Sequence, residues 1–314
     1  MNHFFRTAFA TTFILISIIA PGSIAQQIYS KAYGQKGDPA IIYLHGGPRG
    51  NSTLFEATTA NALAKKGFYV IVYDRRGEGR SSDTEAKINF DEAFSDLNTL
   101  IKDYDLAKVN LLGHSFGGIV STLYTERFPQ KVERLILVGA LFSQQESYDH
   151  ILTTSLKIAT QARDSTMLKK ISYIKTLNEQ SEQYRKQTYE VASHFGFFKM
   201  PRPTLESREL TEEYENSNFS KSNIRNDKAP ILFYQNESRV NIDTKPILKD
   251  IIQKNIKLSA IYGLQDGIFS KNQISDIKRI IGPQNLYTIE NCSHYPFVDQ
   301  QAKFLQSVQE IMDK

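Results

Sequence analysis

Gly113-His114-Ser115-Phe116-Gly117 places a serine between two glycines, after an apolar run and before a stretch with helical spacing. That pattern suits a nucleophile on a sharp strand-to-helix turn, where the small flanking residues let neighbouring backbone come close. A serine hydroxyl is a weak nucleophile until a base takes its proton. The chain has six histidines. His294, in Asn291-Cys292-Ser293-His294-Tyr295-Pro296, follows the last strand-like run and is the best-placed base. His3, His150 and His194 fall in other regions, His45 shapes the first glycine turn, and strand alternation is expected to turn the His114 side chain elsewhere. A base needs a carboxylate to fix its tautomer and to stabilise the imidazolium. Asp266 follows a clear strand, unlike its rivals Asp243 and Asp250, and completes the order Ser, Asp, His.

Oxyanion stabilisation requires two backbone N–H groups converging on one oxygen. Phe116, the first residue of its helix, supplies one; Gly47 in His45-Gly46-Gly47-Pro48 supplies the other, glycine permitting close approach. His45, Gly46 and Pro48 are then expected to support that turn. A second glycine-rich turn, Asp74-Arg75-Arg76-Gly77-Glu78-Gly79-Arg80-Ser81, lacks the Gly-Lys-Ser/Thr ending of a P-loop. It reads as support beneath the active face, with Asp74 paired to an arginine and Arg75 counted among the supporting residues.

The elements that must hold these groups alternate. Strands are predicted over 39–44, 68–73, 109–112 and 135–138, with helices over 54–66, 90–104 and 116–128 between them. Serial strand–helix–strand units imply an α/β fold, a mostly parallel doubly wound sheet. From 142 the alternation stops, and Lys, Glu, Gln, Ser and Tyr dominate, with helical patches at 151–162 and 167–184. We read 142–255 as a mainly helical cap inserted after the fourth parallel strand, dividing a core made of 26–141 and 256–314. Strands over 258–262 and 286–289 resume the sheet. A terminal helix is expected to turn Val298, Ala302, Leu305, Val308 and Met312 inward.

The 314 residues are 40% hydrophobic and 23% charged, which excludes a disordered chain. The formal net charge of +4 is scattered, so nucleic acid is not an expected partner. A single cysteine, Cys292, excludes an intrachain disulfide and a multi-thiolate metal site, and no metal or organic cofactor is implied. At the N-terminus one cation precedes an apolar run too short for a ~20-residue span, and Ser23-Ile24-Ala25 fits signal-peptidase specificity. Residues 1–25 therefore read as a signal peptide for export to a periplasm or the exterior, without stable membrane insertion after cleavage. The alternative is retention as a membrane anchor.

Together the three turns resemble the α/β-hydrolase superfamily, in particular its proline iminopeptidase branch (peptidase family S33). The family's His-Gly-Gly-Pro-Gly turn stands here as His45-Gly46-Gly47-Pro48-Arg49, and Phe116 holds a position usually occupied by tryptophan. The resemblance implies an acyl-enzyme serine hydrolase that releases N-terminal proline, with cap carboxylates for the α-amine and aromatics for the ring. Glu206, Glu209, Glu212, Glu213, Phe195, Phe197 and Phe198 are cap residues of those types, and none is assigned. The alternatives are a carboxylesterase with the same triad and a catalytically silent binding protein. The expected partner is a small peptide or ester.

Overall fold

The computed structural model describes residues 28–314, so the apolar N-terminal run and the expected cleavage position lie outside the described residues. Among the described residues seven strands form one sheet: β1 (Ser30–Tyr33), β2 (Ala40–Leu44), β3 (Tyr69–Tyr73), β4 (Val109–His114), β5 (Val132–Val138), β6 (Lys257–Gly263) and β7 (Leu286–Ile289). Their order is β1-β3-β2-β4-β5-β6-β7, parallel throughout except for β1, which runs antiparallel to β3 at the edge. β2, β3 and β4 are buried along their whole length, the pattern of a sheet covered on both faces.

Alternate residues serve opposite cores. Ile42, Leu44, Ile71 and Leu111 pack with helices Phe90–Asp103 and Phe116–Arg127, whereas Ile41, Tyr43, Val70 and Leu112 pack with Phe55, Phe304 and Val308. Each such aliphatic side chain contributes ~1.5–3 kcal/mol on burial. All the parallel strands end on the same side of the sheet, and there the chain turns that carry polar groups collect.

Three local expectations are corrected, and one strand is added. The helix expected over 54–66 is α only at Thr53–Phe55 and Asn61–Ala64; between them a wider π turn, Glu56–Ala60, carries buried Glu56, which binds Arg80 and the Tyr29 and Tyr33 hydroxyls. The patch at 167–184 is two helices, Ser165–Ile174 and Glu182–His194, because Asn178 and Ser181 turn their side chains onto nearby backbone N–H groups. The terminal helix, Gln301–Met312, buries Phe304, Ser307, Val308 and Ile311 and exposes Ala302. A break in the helix at Gln300, where φ is −147° and ψ 60°, separates it from Pro296–Asp299, which holds Val298, and so resets the helical phase. Strand β1, short and half-buried, had no sequence signal.

Between β5 and β6 the chain builds helices Gln144–Ala162, Ser165–Ile174, Glu182–His194, Leu205–Glu215, Asn218–Lys221 and Ala229–Asn236. The first three share a small core of their own around Tyr148, Leu152, Ile171 and Val191. The segment leaves and returns at one neck, where Gln144 N–H donates to Ile242 O (3.0 Å) and Thr244 N–H to Phe142 O (2.7 Å). The next helix, Lys245–Gln253, puts Leu248 and Ile251 into the sheet's core beside Ile119, so it serves the sheet rather than the cap layer. Among the described residues no helix is long and apolar enough to cross a membrane.

Candidate active site

The turn after β4 holds Ser115 at φ 52° and ψ −122°, a conformation that costs a non-glycine residue about 1–3 kcal/mol. Close packing on both sides enforces it. A Cβ on Gly117 would lie 2.2 Å from Leu44 O, and one on Gly113 would lie 2.3 Å from Ser121 Oγ. The two glycines thus let the helix Phe116–Arg127 press onto the ends of β2 and β4. Ser115 N–H donates to Val138 O (3.2 Å), and its carbonyl accepts from Leu141 N–H (3.0 Å).

Asp266, in the turn after β6, meets His294, in the loop after β7. Its Oδ2 accepts from His294 Nδ1 at 2.8 Å, while Oδ1 accepts the Ile268 N–H at 3.0 Å, and both side chains are buried. A carboxylate only accepts, so the imidazole proton sits on Nδ1 and Nε2 keeps its lone pair. The rivals are elsewhere: Asp243 lies exposed at the cap's neck and Asp250 exposed on Lys245–Gln253.

The His294 loop is tied down on every side. Gln265 exchanges hydrogen bonds with Cys292 (2.8 and 2.9 Å), and Asp299 Oδ2 accepts from Ser293 N–H and Oγ–H (2.7 and 2.6 Å). His114 Nε2 donates to the His294 carbonyl at 2.9 Å, and the two rings lie 5.0 Å apart. The expectation that His114 points away is therefore wrong: as the last residue of β4 it shares a face with Leu112, and the loop after β7 brings the His294 carbonyl to that face, so the ring packs under His294. Burial and the neighbouring His294 hold its pKa well below the usual histidine range, so the ring is uncharged near neutral pH. Cys292 is fully buried, and burial pushes its thiol pKa up, which keeps it unreactive. Gly139 makes room for the pair, since a Cβ there would lie 3.0 Å from His294 O.

The turn after β2 lies against Ser115; a Cβ on Gly46 would be 3.2 Å from Ser115 Cβ. Its shape is set from below. Arg75 N–H donates to His45 Nε2 (3.1 Å), which leaves the His45 proton on Nδ1, donated to Gly46 O at 2.7 Å. Arg75 Nη2 also donates to Gly46 O (2.8 Å), and Nη1 to His45 O (2.5 Å). Peptide planarity then directs the Gly47 N–H to the side opposite those donors. Buried Glu78 pairs with Arg75 at 2.8 Å and accepts from the Arg49 and Gly50 N–H groups (2.6 and 2.9 Å). Gly47 has φ 153°, and a Cβ there would lie 2.4 Å from Arg75 Nη2. Asp74 does pair with an arginine: Arg80, at 2.7 Å, while also accepting from Ser52 N–H and Oγ–H.

His45 carries a stability prediction. Burial, then the Arg75 charge, holds its pKa at about 4 against the ordinary 6.5. Unfolded chain therefore takes up a proton below pH 6.5 that the folded chain refuses until about pH 4. Stability present above 6.5 is lost as pH falls through that window, by about 3 kcal/mol. Urea unfolding of wild type and His45→Gln at pH 7 and pH 4 should show wild type losing about 3 kcal/mol more than the variant.

Above these turns lies a cavity of about 1410 Å³ lined by Gly46, Gly47, Pro48, Ser115 and His294 and roofed by the helical insertion. Of the unassigned cap residues, Phe198 and Glu212 line it, the Phe198 ring lying 5.3 Å from that of His294. Glu206, Glu209, Glu213, Phe195 and Phe197 are not among its lining residues; Phe197 packs on Gly267, and Glu206 accepts the Ala302 N–H at 3.3 Å. Arg185 and Glu215 line the cavity without having been singled out in the sequence. Only tertiary contact distinguishes them from other charges on amphipathic helices.

Comparison with known proteins agrees with this architecture. Over 114 residues the chain is 33% identical to the 2-hydroxy-6-oxononadienedioate/2-hydroxy-6-oxononatrienedioate hydrolase of Escherichia coli K12, covering 33% of this chain and 37% of that one. It is 36% identical over 113 residues to an uncharacterised protein of Mycobacterium tuberculosis, covering 36% and 32%. These matches span about a third of the curated relatives' length. Among solved structures, a proline iminopeptidase-related protein from Thermus thermophilus is similar at TM-score 0.66 and 21% identity, covering 91% of this chain and 93% of that one. An esterase from Exiguobacterium antarcticum is similar at TM-score 0.61 and 20% identity, covering 91% and 96%. At those identities the likeness shows the fold. The model of the alpha/beta hydrolase fold family matches residues 39–301, and the chain belongs to that family.

Proposed function

We propose that the protein is a serine hydrolase in which Ser115 attacks an acyl carbon, His294 is the base and Asp266 orients it. The observation that carries this reading is the buried 2.8 Å Asp266–His294 pair beside the strained Ser115 turn, all lining or supporting one cavity. His294 Nε2 takes the Ser115 hydroxyl proton as Oγ bonds to the carbonyl carbon. The Gly47 and Phe116 N–H groups receive the resulting oxyanion. As the intermediate collapses, His294 returns the proton to the leaving amine or alkoxide and an acyl-serine ester remains. Water, deprotonated by the same imidazole, then releases the acid and regenerates Ser115.

For substrate, our reading is an aminopeptidase that releases N-terminal proline from exported peptides. Glu212 and Glu215 line the cavity and match a free α-ammonium, and Phe198 beside His294 offers an apolar wall for a pyrrolidine ring. A carboxylesterase is the second reading, favoured by the aromatic strip of Phe198, Tyr295 and Phe297 on the cavity wall, which suits an acyl chain equally. Mature protein should be labelled at Ser115 by a fluorophosphonate and should turn over a proline anilide. Fast cleavage of a short acyl ester with none of the anilide would replace the peptidase reading by the esterase one. A folded protein that takes no label would leave a silent binding protein. Export predicts an intact mass for the processed chain beginning at Gln26.

A further inference from the structure

We propose that Arg185 is a positioning residue through which the cap completes the oxyanion turn: by holding the Gly47 carbonyl it makes a seated cap a condition of catalysis. This rests on the serine-hydrolase reading above. Arg185 stands on the cap helix Glu182–His194, lines the cavity, and its Nη2 donates to Gly47 O at 2.9 Å. Its guanidinium lies 5.1 Å from the Tyr189 ring, one turn along the same helix, which restricts where it can swing.

Gly47 is the residue whose N–H is assigned to the oxyanion. Without a Cβ, and at φ 153°, it holds a backbone conformation that L side chains rarely adopt. It stays in place because both flanking peptides are gripped, from different bodies of the fold. The preceding carbonyl, Gly46 O, is held from the core by Arg75 and His45, and the following one, Gly47 O, from the cap by Arg185. The rest of the turn repeats this two-sided arrangement. From the core side, Glu78 accepts the Arg49 and Gly50 N–H groups. From the cap side, Asp227 pairs with Arg49 at 2.8 Å, Asn223 Oδ1 accepts from Asn51 Nδ2 at 2.8 Å, and the Tyr214 hydroxyl meets Thr53 Oγ1 at 3.0 Å.

Lifting the cap would remove every contact of the second kind and leave a glycine anchored on one side only. Arg185 then acts on the transition state through Gly47. A residue that instead bound substrate directly would act on affinity, and the two roles separate kinetically.

The test compares Arg185→Met and Arg185→Lys with wild type in steady-state kinetics and in the rate of fluorophosphonate labelling, with thermal melts as a folding control. Arg185→Met is expected to lower kcat about 10- to 100-fold with KM changed less than about threefold, and to slow labelling in parallel. Arg185→Lys, which keeps one donor, should recover most of the loss. Asn223→Ala, on a different cap segment, should lower kcat in the same direction but less. A raised KM at unchanged kcat in Arg185→Met would make Arg185 a substrate ligand and overturn the proposal. So would wild-type kcat in Arg185→Met, whatever Asn223→Ala does. A wild-type protein that is neither labelled nor active would instead sink the serine-hydrolase reading itself.

Discussion

Replacing Ser115 by alanine is expected to lower kcat by a factor on the order of 10⁶ while leaving the fold intact. Without the hydroxyl no acyl-enzyme forms, and what remains is the rate enhancement that binding and the oxyanion donors give to direct attack by water. The fold should survive because the hydrogen bonds that shape the turn, Ser115 N–H to Val138 O and Leu141 N–H to Ser115 O, belong to the backbone. Alanine keeps the positive φ at its usual cost. Ser115→Gly removes that cost and is expected to melt higher than Ser115→Ala, by a difference on the order of 1 kcal/mol. Single-turnover kinetics and thermal melts of both variants test the pair of statements. More than a few per cent of wild-type activity in Ser115→Ala would move the nucleophile elsewhere.

The features that were legible in the sequence share a physical character: their constraints are local. β2 and β3 are read from continuous apolar runs because both faces are covered, and the Ser115 turn from glycines whose Cβ would strike adjacent backbone. What was not legible depends on residues remote in the chain. The His114 ring finds its partner at His294, 180 positions later, so alternation along one strand says nothing about it. Glu78 looks like one more charge in a glycine-rich turn until Arg75, Arg49 and Gly50 converge on it. In the cap, charged residues occur around every helix, and only packing against the core decides that Glu212 faces the cavity while Glu209 does not. The same reasoning explains the terminal helix: its apolar residues were visible, but the break at Gln300 that sets their phase was not.

Asp266→Asn is the second large effect, and the surroundings of the carboxylate dictate its direction. Oδ1 accepts the Ile268 N–H at 3.0 Å, so the amide oxygen of an asparagine is held at that position. The amide nitrogen must then occupy the place of Oδ2, 2.8 Å from His294 Nδ1. An N–H facing Nδ1 requires Nδ1 to accept, which moves the imidazole proton to Nε2, the atom that has to receive the serine proton. The base is present, in place and in the wrong tautomer. A loss of about 10⁴ in kcat is expected, with little change in KM and a melting temperature close to that of wild type, since the side chains are nearly isosteric. Asp299 provides the control, because its Oδ2 is engaged by Ser293 N–H and Oγ–H and reaches His294 only through the loop. Asp299→Asn should therefore cost far less in kcat. Equal losses in the two variants would mean that the carboxylates act by holding the loop, and the assignment of Asp266 as the partner of the base would fail.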